Sequence, residues 1–261
     1  MYNFDFVKPA TLADAVDALA GDEAQALSGG QTLLPSMKQR LNAPSTLVSL
    51  TGIAELQGVT REGDTLVIGG ATPHAVVASE AVADYPALAA LAGGIGDPAV
   101  RNRGTIGGSL ANNDPSACYP AAVLASGATI VTNTREIAAD DFFDGMFTTC
   151  LEVGEIITAV KFPIPQKAAY AKFLQPASRF ALTGAFVAQF ANGARVAITG
   201  ASEGGVFRWT EAETALSSDF STAALGNISA SSDGMIGDLH GTPEYRANLV
   251  GVMTKRAVTA A

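Results

Sequence analysis

The sequence has few charged residues and few basic ones, and this shortage excludes a class of function. Charged residues make up 16% of the 261 residues, and 16 Lys and Arg stand against 25 Asp and Glu, so the formal net charge is −9. The basic residues are scattered, with "RNR" and "TKR" as the only tight groups. Because binding to nucleic-acid phosphates needs clustered Lys and Arg, we expect no nucleic-acid surface.

Cysteine is also scarce. The two cysteines, Cys118 and Cys150, cannot by themselves ligate an iron–sulfur cluster or form a four-ligand zinc site. They are far apart in sequence, and in a reducing cytosol two free thiols are expected rather than a disulfide. The sequence therefore predicts no metal site, and any redox centre in this chain is not a cysteine-held metal.

Long apolar runs are absent. No run approaches the roughly 18 residues that a membrane span requires, so no span is expected. The N-terminus "MYNFDFVKPATLADAV" lacks the basic and apolar regions of a secretory signal, which favours a cytoplasmic location. Apolar residues still make up 48% of the chain, enough for a real core in one large domain or two ordinary ones.

The first part of the chain is predicted to alternate short helices and strands. Thr11 followed by Asp14 is typical of a capping box, which opens a helix that stops at Gly21. Thr72 before Pro73 is predicted to cap a helix through "HAVVASEAVA". Further helices are predicted at "PSMKQRLNA", "YPALAALAGGIG" and "YPAAVLASGA", and strands at "AQAL", "TLVSL", "TLVIGG", "ATIVT" and "GEIITAVKFPIP".

Longer β runs begin at about residue 168. The clearest hairpin joins "GAFVAQFA" to "ARVAITGA" through Asn192-Gly193, a pair that favours a tight turn. A helix is predicted around "TEAETALSS", and Thr242 opens a final amphipathic helix with one apolar face, formed by Tyr245, Leu249, Val252 and Met253. We therefore predict an α+β N-terminal domain to about residue 165 and a smaller α+β C-terminal domain.

A first glycine pair lies between a predicted strand and a predicted helix, in Ser28-Gly29-Gly30-Gln31-Thr32. Successive glycines let consecutive backbone N–H groups point into one concavity, which can bind a phosphate without cationic side chains. An ordinary turn is the alternative. The segment is neither the G-x-G-x-x-G fingerprint nor a P-loop, because no GK[ST] occurs.

A second glycine pair lies in "RNRGTIGGSLANNDP", at Gly107 and Gly108. Two such segments in one domain suit a pyrophosphate, since its two phosphoryl groups need separate donors. Asn112, Asn113 and Asp114 follow, and their short polar side chains suit sugar hydroxyls. A run of Asx turns that ends at Pro115 is the alternative for these three residues.

Together these segments resemble the FAD-binding subunit of the molybdenum hydroxylases, the xanthine, carbon-monoxide and aldehyde dehydrogenases. "LSGGQTLLPSMKQRL" and "RNRGTIGGSLANNDPSACYPAAVLASGATI" carry the resemblance. "KFLQPASRFALTGAFVAQF" and "YRANLVGVMTKRAV" are similar to the family's domain junction and closing helix, so the resemblance covers the whole chain. It implies a PCMH-type FAD-binding domain of two α/β subdomains over residues 1–165. A C-terminal domain of the carbon-monoxide-dehydrogenase flavoprotein type is implied over residues 166–261.

The resemblance also implies site residues. In the first segment, Gly29 to Thr32 would surround the FAD pyrophosphate, with Ser28 beside them and Leu27 and Leu33 as flanking residues. The implied contacts of the second segment are to the flavin ring, from Gly104 and Thr105, and to the phosphate and ribityl groups, from Gly107, Gly108 and Ser109, with Asn113 and Asp114 beside them. Ile157 aligns with an apolar residue packed against the flavin, or is a plain core residue of its strand.

Two positions depart from the family pattern. Many relatives carry an aspartate where Cys118 stands, and a thiol is a poor acceptor for hydroxyls. Where some relatives have a lysine that faces the ring, this sequence has Leu174, with Lys172 two residues earlier. His74, in the first turn of a predicted helix, and His240, in a glycine-flanked loop, are predicted to be surface residues rather than catalytic bases.

The implied function is electron transfer within a larger enzyme. The resemblance implies a molybdenum cofactor on a large molybdopterin subunit and [2Fe–2S] clusters on a small iron–sulfur subunit, in a dimer of heterotrimers. FAD on this chain would pass electrons to NAD, a quinone, oxygen or another acceptor. An autonomous flavin oxidase and a non-enzymatic subunit with a mainly structural FAD are the alternatives.

Overall fold

The computed structural model describes all 261 residues and contains three β-sheets with helices around them, which confirms the predicted α+β class. The first sheet is parallel, because a helix lies in each connection between its strands. The outer strands both pair with the central one, in the order β1-β3-β2. Its elements are β1 (Asp5–Val7), α1 (Leu12–Leu19), β2 (Ala24–Leu27), α2 (Leu33–Lys38) and β3 (Thr46–Ser49).

The second sheet is antiparallel and five-stranded, in the order β4-β5-β8-β6-β7. A run of five helices separates its second and third strands in the sequence. The elements of this part are β4 (Val59–Glu62), β5 (Thr65–Gly69), α3 (His74–Glu80), α4 (Pro86–Gly93), α5 (Pro98–Arg101), α6 (Ile106–Asn112), α7 (Tyr119–Ser126), β6 (Thr129–Thr132), β7 (Glu136–Ala138) and β8 (Ile157–Pro163).

The third sheet is antiparallel, in the order β12-β11-β10-β9, and two helices accompany it. The predicted hairpin is confirmed, since Phe190 pairs with Gly193 at the turn and Gly193 has a φ of +138°. The elements are β9 (Lys167–Leu174), β10 (Ala181–Phe190), β11 (Gly193–Thr199), β12 (Phe207–Arg208), α8 (Thr210–Ser218) and α9 (Pro243–Ala260).

Helix α7 is the centre of the main hydrophobic core. All of its residues are buried, because it packs against both β10 and β11 and also touches β8. The core around it joins 30 buried residues from the second and third sheets and from the helices between them, including Tyr85, Phe162 and Phe186. One continuous apolar cluster therefore connects the two larger sheets and the helices packed between them.

Several predicted elements differ in detail. The predicted helix at "PSMKQRLNA" ends at Lys38, because Arg40 adopts a φ of +62°. Thr72 does not cap α3; its hydroxyl instead donates to and accepts from the backbone of Gly58. On α9, Tyr245 is 41% exposed, and the buried face includes Arg246, whose guanidinium donates to the carbonyls of Leu182 and Gly200.

The helix caps at both ends of the chain follow the sequence. Thr11 accepts a hydrogen bond from the backbone of Asp14 at 3.2 Å, and Thr242 accepts one from Tyr245 at the same distance. Each side chain satisfies an N–H group that has no acceptor within its helix. None of the helices combines the length and the hydropathy that a bilayer-spanning segment needs.

Candidate functional site

One cleft, with a cavity volume of about 510 Å³, lies where the three sheets approach each other. Both glycine segments line it, together with the first residue of β8 and the loop that follows β9. Cavities of this size hold small-molecule ligands and cofactors in other proteins. The cleft therefore brings together chain segments that are distant in sequence.

The first glycine segment leaves β2 and enters α2. Gly30 has a φ of +70°, a conformation that side chains rarely adopt, and the chain turns sharply there. None of the backbone N–H groups from Gly29 to Leu33 donates to a protein acceptor, and all of these residues line the cleft. This row of free donors is available to an anionic group in the cleft.

The second glycine segment begins helix α6, which the sequence did not predict. Thr105 caps the helix by accepting from Gly108 at 3.2 Å. The N–H groups of Ile106 and Gly107 donate to the carbonyls of Thr72 and Gly70. Most backbone N–H groups of this segment therefore donate to acceptors within the protein. What the segment exposes to the cleft is glycine backbone, which a ligand can approach closely, and hydroxyl groups.

The two segments touch each other directly. A Cβ atom on Gly29 would collide with the carbonyl oxygen of Arg103 and lie 2.6 Å from the Cα of Gly104. The hydroxyls of Ser28 and Thr105 are hydrogen-bonded across the same junction at 2.6 Å. Glycine at position 29 is thus needed for the contact between the two segments.

The cleft gathers nearly all the residues that the sequence singled out. Ile157, the first residue of β8, is buried and contributes an apolar wall. Asp114 accepts from the backbone of Ser116 in a local turn while it also lines the cleft. The predicted residues that line it are Leu27, Ser28, Gly29, Gly30, Gln31, Thr32, Leu33, Gly104, Thr105, Gly107, Gly108, Ser109, Asp114 and Ile157.

Asn113 is the predicted residue that does not line the cleft. It is buried, has a φ of 41°, and ends α6 in the left-handed conformation that asparagine tolerates. Its amide nitrogen donates to the carbonyls of Gly145 and Thr148. These bonds attach the end of α6 to the 144–148 loop. The Asn113 side chain therefore stabilises the fold behind the cleft rather than contacting a ligand.

His74 was predicted to be a surface residue, and the structure corrects this. It is only 5% exposed and lines the cleft as the first residue of α3. Burial, and secondarily the charge of Arg101, lowers the pKa of His74 to about 4. Pro73, just before α3, pairs with Thr105 in an isolated bridge. This contact is long-range and has no local signal in the sequence.

The loop after β9 closes one side of the cleft. Lys172 donates through Nζ to the carbonyls of Gly94 and Arg179, and to Cys118 Sγ at 3.5 Å. The Cys118 thiol is therefore beside an amino group. Leu174 is 52% exposed and does not line the cleft.

An ion pair supports the floor of the cleft. Glu155 lines the cleft, and its carboxylate accepts from Arg135, Thr132 and Thr134. The hydrogen bonds from Arg135 are the main reason that the pKa of Glu155 falls from 4.5 to about 2. Because its acceptors are occupied, this carboxylate positions the chain before β8 rather than offering a base.

The arrangement suits a nucleotide with phosphate groups. Free backbone donors lie in the middle, hydroxyls lie beside them, and apolar residues such as Ile157 and Leu27 line the walls. No group of three or more His, Cys, Asp and Glu side chains converges in the structure as a metal site. The geometry alone does not identify the nucleotide.

Comparison with known proteins identifies the family of the N-terminal part. Residues 2–165 match the FAD binding domain in molybdopterin dehydrogenase. This range contains the first two sheets and both glycine segments.

The similarity to individual proteins extends over the whole chain. The carbon monoxide dehydrogenase medium chain of Afipia carboxidovorans is 33% identical over 99% of this chain and 96% of that protein. The nicotine 6-hydroxylase medium subunit of Paenarthrobacter nicotinovorans is 35% identical over 98% of this chain and 96% of that protein. In a solved carbon monoxide dehydrogenase from Hydrogenophaga pseudoflava, the matching chain is 33% identical, with a TM-score of 0.88 over 100% of this chain and 97% of that one.

Proposed function

The chain belongs to the family of FAD-binding subunits of molybdopterin dehydrogenases, and we propose that it transfers electrons through FAD within a multi-subunit molybdenum hydroxylase. The observation that carries this proposal is the row of free backbone N–H groups from Gly29 to Leu33 in the cleft. Family membership supplies the identity of the cofactor, and the cleft supplies a place for its phosphates.

The residues of the cleft fit FAD. Its pyrophosphate needs several donors, and the first glycine segment provides them without a cationic side chain. Its ring is apolar on both faces, and the walls near Ile157 and Leu27 are apolar. His74 also lines the cleft, so its imidazole is a polar side chain beside the cofactor.

We assign roles on this basis. Gly29 to Leu33 bind the pyrophosphate. Ser109 and one hydroxyl of the bonded pair Ser28 and Thr105 add donors beside it. Gly104, which lines the cleft beside the His74 ring, lies against the flavin ring. Gly108 leaves space for the phosphate and ribityl groups, and Asp114 accepts from sugar hydroxyls. We propose that the division between the two domains lies at residues 165 and 166, a position in the connection between β8 and β9.

The bound FAD supplies redox chemistry that the side chains of this protein lack. The chain positions the cofactor and shields it, and the primary substrate is oxidised on another subunit. The printed names of the relatives, a medium chain and a medium subunit, support the presence of other subunits. We propose that these are a large molybdopterin subunit and a small iron–sulfur subunit, in a dimer of heterotrimers. The relatives act on carbon monoxide and on nicotine, so neither the substrate nor the acceptor follows from the similarity.

An autonomous flavin oxidase is the second candidate function, because His74 reaches the cleft and such enzymes use an acid or base near the ring. The two functions differ in what the chain does alone. The test is to purify the full chain, alone and with co-produced large and small subunits, and to record its visible spectrum.

We expect a flavin spectrum that dithionite bleaches and no turnover of carbon monoxide, aldehydes or N-heterocycles by the chain alone. Substrate-dependent bleaching should appear only in the complex. A colourless protein after flavin reconstitution in both forms would contradict the proposal, and turnover by the chain alone would favour the oxidase.

A further inference from the structure

Unpartnered polar atoms are concentrated behind one wall of the cleft. Four enclosed side-chain atoms in the whole chain lack a hydrogen-bond partner, and three of them are His74 Nδ1, Tyr119 Oη and Tyr170 Oη. The rings of His74 and Tyr119 lie 5.3 Å apart. Such atoms are rare in folded proteins, and a cluster of them calls for a physical reason.

Only one of these three residues faces the cleft. His74 lines it, whereas Tyr119 and Tyr170 lie behind its wall. The fourth unpartnered atom, Nε of Arg246, lies elsewhere and belongs to a guanidinium whose other nitrogens are bonded. His74 is therefore the one residue of the set that a ligand in the cleft can contact, through the Nε2 edge of its ring, since Nδ1 is enclosed.

The position of the ring is set by the second glycine segment. The backbone N–H of His74 donates to the carbonyl of Gly104 at 2.9 Å. A Cβ atom on Gly104 would lie 2.6 Å from Nε2 of the His74 ring, so the ring edge packs on the bare Cα of that glycine. The imidazole thus occupies the place beside Gly104 that a side chain would otherwise fill.

The ring is neutral at physiological pH. Desolvation of the ring, and then the nearby positive charge of Arg101, holds its pKa at about 4. A neutral imidazole has one N–H donor and one nitrogen acceptor. Nδ1 is enclosed, whereas Nε2 is not enclosed and has no hydrogen-bond partner in the protein, so Nε2 is the nitrogen open to a ligand in the cleft.

We infer that His74 is a cofactor-binding residue, whose neutral imidazole hydrogen-bonds a polar atom of the flavin ring next to Gly104. The inference rests on the proposed function, since it takes FAD as the occupant of the cleft. It adds to the glycine segments a side chain that recognises the ring rather than the phosphates. Packing against Gly104 orients the imidazole before the cofactor arrives, which reduces the entropy lost on binding.

Two substitutions at this position separate hydrogen bonding from packing. His74→Phe keeps a ring and removes both nitrogens, whereas His74→Gln keeps a side-chain N–H near the place of Nε2. Tyr119→Phe is the matched control, because it removes a neighbouring unpartnered hydroxyl that does not line the cleft. Each variant is produced as the full chain together with its partner subunits.

The measurements are FAD content, the FAD dissociation constant by flavin fluorescence, the visible spectrum and the midpoint potential in a dithionite titration. For His74→Phe we expect an FAD dissociation constant about tenfold higher, because one hydrogen bond is lost. The visible spectrum and the midpoint potential of the flavin should shift as well. His74→Gln should recover most of the affinity, and Tyr119→Phe should match the wild type.

A second measurement does not depend on how the variants fold. The chain has two histidines, so ¹⁵N-histidine labelling of the wild type gives signals from His74 and His240 alone. Addition of FAD should move the ring nitrogen signals of His74 and leave those of His240 in place.

The outcomes distinguish this inference from the proposed function. If FAD binds and neither the His74 signals nor the His74→Phe spectrum, potential and affinity change, the role of His74 is overturned while the proposed function stands. If the wild type takes up no FAD in any form, the proposed function itself fails.

Discussion

The hydroxyl oxygens of Ser28 and Thr105 lie 2.6 Å apart, although 77 positions separate these residues in the sequence. The bond joins the two glycine segments at the point where both face the cleft. Thr105 also caps α6 through the N–H of Gly108. Thr105 therefore has three roles: it caps α6, it bonds the two glycine segments to each other, and it lines the cleft.

Thr105→Ala should destabilise the protein by about 1 kcal/mol, because it removes a helix cap. Ser28→Ala should cost less, and the double variant should cost less than the sum because both single changes break the same bond. Urea denaturation measures these effects, and FAD affinity should fall in all three variants. Thr11→Ala removes a cap of the same geometry far from the cleft. It should lower stability similarly and leave FAD binding unchanged; parallel losses of FAD in both variants would contradict a local role of Thr105.

Gly108→Val should abolish FAD retention. A Cβ atom there would lie 3.0 Å from Oγ1 of Thr105 and 3.5 Å from the Cβ of Ser28, so the added methyl groups would project toward the junction that the phosphate approaches. Flavin absorbance per protein after gel filtration measures the effect. Gly251→Val is the control, because a Cβ at that helical glycine meets no atom within 4 Å. Normal flavin content in Gly108→Val would reject the assigned site.

Gly30→Val should impair both folding and FAD binding. Its φ of +70° disfavours any side chain by roughly 1–2 kcal/mol, and a Cβ would also lie 2.9 Å from Cδ1 of Leu34. The free donors from Gly29 to Leu33 depend on this turn. Thermal denaturation and FAD titration should therefore both show a loss, and an unchanged dissociation constant would show that the first segment does not bind the phosphates.

How much of this could be read from the sequence depends on the range of the interactions. The caps at Thr11 and Thr242 and the turn at Asn192-Gly193 are local, and all three were predicted. The edge strands β1 and β4 were missed, because β1 has only three residues and both are largely exposed, without an apolar alternation. Helix α6 was missed because two of its seven residues are glycines, which have poor helix propensity.

The same distinction applies to the cleft. The glycine segments have a recognisable composition, and all but one of the residues predicted from them line the cleft. Asn113 carries the same composition but bonds to Gly145 and Thr148 through the tertiary fold. His74 and Lys172 reach the cleft through contacts with Gly104 and Gly94 that only the folded chain creates.

Lys172→Met should weaken FAD binding more than Cys118→Ser does. Lys172 holds the loop after β9 through the carbonyl of Arg179 and the end of α4 through Gly94. Its loss frees one wall of the cleft, and we expect about a tenfold rise in the FAD dissociation constant. Cys118→Ser keeps a small side chain beside Nζ and should change the affinity little. A tenfold loss in Cys118→Ser would show that the thiol position contributes to binding directly.

Glu155→Gln should destabilise the protein at neutral pH by about 2 kcal/mol, because it weakens hydrogen bonds to a charged group. The folded-state pKa of Glu155 is lowered to about 2 from 4.5, chiefly by Arg135. A carboxyl with a lowered pKa stabilises the fold fully above its unfolded pKa, and this contribution is lost as the pH falls toward the folded value. The difference between wild type and variant should thus be constant above about pH 5 and shrink between pH 4.5 and about 2.

Urea denaturation at a series of pH values measures this difference, with Glu136→Gln as the control. Glu136 also forms an ion pair, with Lys161 at 2.6 Å, but its side chain is 57% exposed against 2% for Glu155. An exposed pair contributes little because water and salt screen it, so the control should differ from the wild type by less than about 1 kcal/mol. Equal effects of the two substitutions, or a Glu155 effect that does not change with pH, would show that the Arg135 pair does not stabilise the floor of the cleft.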